Sequence, residues 1–92
     1  MTDENRKLLT EFLEDDFDYL QKIGMDRDFD KGNDLIALKD KLVENEEWGE
    51  FEFYAAYTIW AKDKETSLGF TEWLLNPKRF CQLVADYLEV KP

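Results

Sequence analysis

Apolar positions along the chain recur with two different periods. Between residues 4 and 20, Leu9, Leu13, Phe17 and Leu20 return near every helical turn, flanked by Leu8 and Phe12, with acidic residues between them. That spacing predicts an amphipathic helix over 4–20. Thr2 or Asp3 suits its N-cap, because either side chain accepts from an unpaired first-turn N–H, and Gly24 suits its stop. Glu4 and Glu11 favour the positive end of the helix dipole, whereas Asp15, Asp16 and Asp18 crowd the negative end. Packing must therefore supply most of this helix's stability. A polar connection follows over 25–33, with Phe29 placed to pin it to the core. Leu35, Leu38, Lys39 and Leu42, with Val43 beside them, predict a second helix over 34–46, capped by Asn33 or Asp34 and closed at 46–49.

The period changes at 50–61. Read with period 2, Phe51, Phe53, Ala55, Tyr57, Ile59 and Ala61 share one face; Glu52, Tyr54, Ala56, Thr58 and Trp60 share the other. Seven of these twelve positions are aromatic or β-branched, which fits a pleated, half-covered surface. A polar turn at 62–66 then leads to a second strand at 68–74, forming an antiparallel hairpin. A helical reading of 50–61 also exists, with Phe53, Tyr57 and Trp60 on one side and the alanines in its favour. The last element is a helix over 77–89. Asn76 is its cap, Pro77 sits at the first position where a missing N–H costs nothing, and Phe80, Leu83, Val84, Tyr87 and Leu88 form its stripe.

These elements predict a small α+β domain, helices packed on a short antiparallel sheet. The alternative is an all-α bundle of four to five short helices. With 92 residues and 11.0 kDa, the chain makes one domain, 1–92, and should leave about 5,600 Å² of surface exposed when folded.

Charge adds an asymmetry. The chain has 22 acids, 12 bases and a net charge of -10; residues 1–52 hold 17 acids and 7 bases, and residues 53–92 hold 5 of each. The excess acid thus lies in the first half, densest around Glu11, Glu14, Asp15, Asp16 and Asp18 and again at Asp26, Asp28 and Asp30. Glu11, Glu14, Asp15, Asp18, Asp26, Asp28 and Asp30 form a candidate acidic face, either solubilising or attractive to a basic partner. Among the aromatic residues, Phe12, Phe17, Phe53, Tyr57, Phe80 and Tyr87 follow the apolar period and are expected in the core. Trp48, Tyr54, Trp60 and Trp73 fall outside it and are candidate contacts for a protein partner.

Several kinds of chemistry lack their residues. Without histidine and with one cysteine, no soft or imidazole metal centre is expected, and Cys81 has no imidazole base to activate it. It is expected as a small buried apolar residue. Counting from Asp26, carboxylates fall at calcium-loop positions 3, 5 and 9, but Lys31 stands where that loop needs glycine and Ala37 where it needs glutamate. Gly32-Asn33-Asp34-Leu35 has a superficial likeness to the attachment segment of acyl carrier proteins. That chemistry needs a serine there, and the chain's only serine is Ser67. The four glycines are scattered rather than gathered into a phosphate loop, and so acidic a chain is poorly suited to hold nucleic acid directly. A single cysteine permits no intrachain disulfide, and no apolar run nears the ~20 residues of a membrane helix. A cytoplasmic protein without cofactor, metal or membrane contact is the expectation.

Two non-enzymatic functions follow. One is an acidic protein-interaction or structural module, with homodimerisation a candidate because a small chain gains core by pairing. The other is a nucleic-acid mimic, in which carboxylates stand in for phosphates and block a basic DNA- or RNA-binding protein, as phage-encoded inhibitors of host defence do.

Overall fold

The computed structural model describes residues 1–91. Six helices follow in order: α1 (Asp3–Phe12), α2 (Phe17–Lys22), α3 (Gly32–Glu44), α4 (Trp48–Tyr54), α5 (Phe70–Leu74) and α6 (Pro77–Val90). A π-helical turn (Ala55–Ile59) and a 3₁₀ turn (Trp60–Lys62) extend α4. Among the described residues there is no strand, so the α+β expectation is corrected to an all-helical fold.

The correction is made at 50–61. As a helix, this segment turns Phe51 and Ala55 inward, both 0% exposed, with Tyr54 and Ile59 packed partly against the core. Phe53 and Tyr57, which the alternating pattern places on the same face as Phe51, stand 66% and 64% exposed. A helix satisfies its own backbone groups, whereas a lone two-stranded hairpin leaves two unpaired edges. The second expected strand, 68–74, is likewise a loop leading into α5.

The expected helix over 4–20 is divided. Leu13 ends α1, Glu14 takes a left-handed φ of 65°, and the Asp15 N–H donates to the Thr10 carbonyl at 3.1 Å. Asp16 then caps α2, its carboxylate accepting from the Tyr19 N–H at 3.1 Å. The acids that were ill placed at the back of one long helix thereby sit at the front of a second, where the dipole favours them. The same chain reversal closes α2 and α3: Gly24 (φ 74°) and Glu46 (φ 60°) are left-handed, and the next residue's N–H reaches back to Leu20 and Leu42.

Helix α3 starts earlier than Asn33 or Asp34 as caps would have it. Lys31 is the N-cap residue, and Asp34 lies inside the first turn, where its carboxylate accepts from the Asp30 and Lys31 N–H groups, each at 3.2 Å. Arg27 pairs with the same buried carboxylate at 3.1 Å. Phe29, at φ 58°, carries its ring into the core. Arg6 ties this connection to α1: it donates to the Arg27 carbonyl at 3.1 Å and pairs with Asp26 and, at 3.1 Å, with Asp3.

Helix α6 begins as expected, with Asn76 accepting from the Arg79 N–H and Pro77 at the first position. Phe80, Cys81, Leu83, Val84, Ala85 and Tyr87 are all buried and form a broad apolar stripe, while Lys78 and Glu89 stay exposed on the opposite side. Helices α1, α3, α4 and α5 pack around it. The neutral end of the chain thus becomes the centre, and the acidic α1 and α3 lie outside it. The described residues expose 6029 Å² and extend 41 × 25 × 19 Å, a longer body than a sphere of this mass.

Candidate interaction surface

Phe53, in α4, and Tyr57, in its extension, lie one turn apart on the outer side, and their rings meet at a tilt of 35° with centroids 4.6 Å apart. Both were expected in the core. The π turn between Ala55 and Ile59 carries Tyr57, and π turns interrupt helices mostly where function tolerates the cost. The pair forms an aromatic ridge open to solvent. An aromatic pair at i and i+4 with the intervening Tyr54 and Ala55 turned inward is the signal that would have found it, had helical rather than alternating period been applied.

The four candidate contacts are divided among α4 (Trp48 and Tyr54), its extension (Trp60) and α5 (Trp73). Trp73 is 2% exposed and belongs to the core, with the Arg79 guanidinium 4.9 Å above its ring and the Arg79 Nη1 donating to its carbonyl. Trp60 packs edge-on against Phe70 at 5.6 Å, and its indole N–H donates to the Leu68 carbonyl at 3.2 Å, closing the 62–69 loop. Trp48 is half-buried on Phe51 and Phe80, with Lys39 Nζ 5.3 Å above its ring. Tyr54 is half-buried against Tyr87. Trp48, Tyr54 and Trp60 therefore hold elements together while keeping a partly accessible edge.

The candidate acidic face is largely on the surface. Glu11, Glu14, Asp15, Asp18, Asp28 and Asp30 are exposed, while Asp26 is half-buried beneath Arg6. Glu14 pairs with Lys41 at 3.0 Å; this contact raises the Lys41 pKa, against the opposing effect of burial. The carboxylates of the calcium-like segment are taken up by cations and backbone: Asp26 and Asp28 meet Arg6, and Asp34 goes to Arg27 and the α3 N-terminus. Among the described residues, no three His, Cys, Asp or Glu side chains are grouped as a metal ion would need.

Two further features complete the chemistry. Cys81 is fully buried, and burial, followed by the charges of Asp34 and Asp30, pushes its thiol up to about 12. It stays protonated at neutral pH, so its nucleophilicity is low. A groove of about 690 Å³ runs between the α1 N-terminus, the 28–30 loop and the start of α6, lined by Arg6, Asp28, Asp30, Lys78 and Arg79. Its two arginines are already engaged, one by three carboxylates and the other by Trp73. No helix among the described residues is long and apolar enough to cross a membrane. Comparison with family models, curated proteins and solved structures returned no match.

Proposed function

We propose that this chain is a non-catalytic protein-interaction module whose anchor is the Phe53–Tyr57 ring pair. The observation that carries the reading is two large rings, each about two thirds exposed, on a segment whose other aromatic side chains are packed inward. Rings held by each other lose little freedom on binding, and large aromatic anchors dominate interface energetics. A reducing compartment suits the single buried free thiol, and we read the chain as cytoplasmic.

The mimic reading gains less support. Glu14 and Asp26, two members of the supposed phosphate track, are held by Lys41 and Arg6.

The test is a quantitative affinity capture from the native cell with the wild-type chain and the Phe53→Ser/Tyr57→Ser variant. Both residues are exposed, so the variant should keep its helical circular dichroism and a cooperative melt. At least one protein retained by the wild type should be lost with the variant, and purified binding should fall at least tenfold. If every partner binds both chains equally, the ridge is not an anchor and the reading is wrong.

A further inference from the structure

We propose that the outer side of α2 is a second docking face, and that its occupant is a cationic amphipathic helix. Helix α2 packs on α1 through Phe17, which is buried, and Leu20, which is half-buried. Its other side leaves Tyr19 58%, Ile23 45% and Met25 69% exposed. Tyr19 and Ile23 are one turn apart, and the Met25 N–H donates to the Leu20 carbonyl at 2.9 Å, holding Met25 beside the helix end. Three unpartnered apolar side chains thus gather within seven positions.

Charge selects the occupant. Asp15, Asp16 and Asp18, at the start of α2, and Glu11, near the end of α1, are exposed, and none is ion-paired among the described residues. The only cation between Lys7 and Arg27 is Lys22. An apolar patch with so acidic a rim matches a helix that presents apolar anchors flanked by lysine or arginine, which the rim would steer and orient. Methionine's flexible thioether adapts to such a surface. A second copy of this chain brings the same acidic rim and a charge of -10, and is repelled. An anionic membrane is repelled for the same reason. This face shares no residue with the Phe53–Tyr57 ridge, so failure of one assignment leaves the other standing.

The test is a fluorescence-anisotropy titration of the full chain with a labelled leucine–lysine peptide of about 15 residues, long enough for a helix, its leucines at helical spacing. Two controls are a scrambled peptide of the same composition and an oligolysine of equal charge. The amphipathic peptide should bind at least tenfold more tightly than either control. Ile23→Ser/Met25→Ser should weaken it about tenfold, Asp15→Asn/Asp18→Asn should weaken it and flatten its salt dependence, and Phe53→Ser/Tyr57→Ser should leave it unchanged. Equal binding of the controls, or indifference to Ile23→Ser/Met25→Ser with the fold intact by circular dichroism, overturns the proposal. Sedimentation showing a dimer that Ile23→Ser/Met25→Ser dissolves also overturns it, because the face then belongs to a second copy.

Discussion

Phe51 and Phe53 stand two residues apart in one helix and should respond very unequally to the same truncation. Phe51 is 0% exposed and meets Phe80 at 5.3 Å, Tyr87 at 5.6 Å and Trp48 at 5.7 Å. Phe51→Ala removes a ring from the centre of that cluster and should cost about 3–5 kcal/mol. A domain of this size has roughly 5–14 kcal/mol in total, so the loss approaches the whole stability at the low end. The melting temperature should drop by about 12–40 °C. Phe53→Ala loses mainly the ring contact with Tyr57, worth about 0.5–1.5 kcal/mol when desolvated and less when open to water. Alanine returns about 0.5 kcal/mol through helix propensity, so the net change should stay within about 1 kcal/mol. Urea unfolding followed by circular dichroism at the helical band measures both. Comparable losses for the two variants would refute the helical register of α4 and restore the alternating face that the sequence pattern suggests.

Three other outcomes are expected. Cys81, raised from 9.0 to about 12, and Tyr87, raised from 10.0 to about 12 by burial and then the charges of Glu47 and Glu50, keep their protons in the folded chain after the unfolded chain has released them. Stability should therefore fall as pH rises from about 9 towards 12, by up to about 1.4 kcal/mol per pH unit for each group; Cys81→Ala should flatten the loss between pH 9 and 10 in urea titrations. Lys91 Nζ pairs with Glu47 Oε1 at 2.5 Å while Glu47 Oε2 is buried without a hydrogen bond. Lys91→Met should cost about 1–2 kcal/mol, and adding Glu47→Leu should recover part of it, because the stranded carboxylate is gone; a double-mutant cycle by thermal melting checks this. Glu46 is exposed at φ 60°, so Glu46→Gly should raise stability by up to about 1 kcal/mol in chemical denaturation.

Helix ends were legible where the residue type carried the conformation. Asn76-Pro77 marks the start of α6, Thr2 caps α1, and Gly24 supplies the left-handed turn after α2. The turn at Glu14 was not legible, because glutamate carries no signal for positive φ; only the misplaced acids after it hinted at a new helix. The candidate surface was legible in part. Six of the seven acidic positions lie exposed and Asp26 half-buried, while Trp73 is in the core and Phe53 and Tyr57, expected there, are on the surface.

The sequence by itself determined an acidic first half, an apolar last helix, and the absence of histidine or paired cysteines, because these are properties of composition and of short-range capping. Tertiary structure alone decided the state of 50–61. Its aromatic-rich pattern fits period 2 or period 3.6 about equally well, and intrinsic preference between them is under a few kcal/mol over twelve residues. What separates them is whether Phe51 and Ala55 find a surface to pack on. Helices α3 and α6 supply it, and α6, at the far end of the chain, lies well outside the stretch from which the period of 50–61 is read.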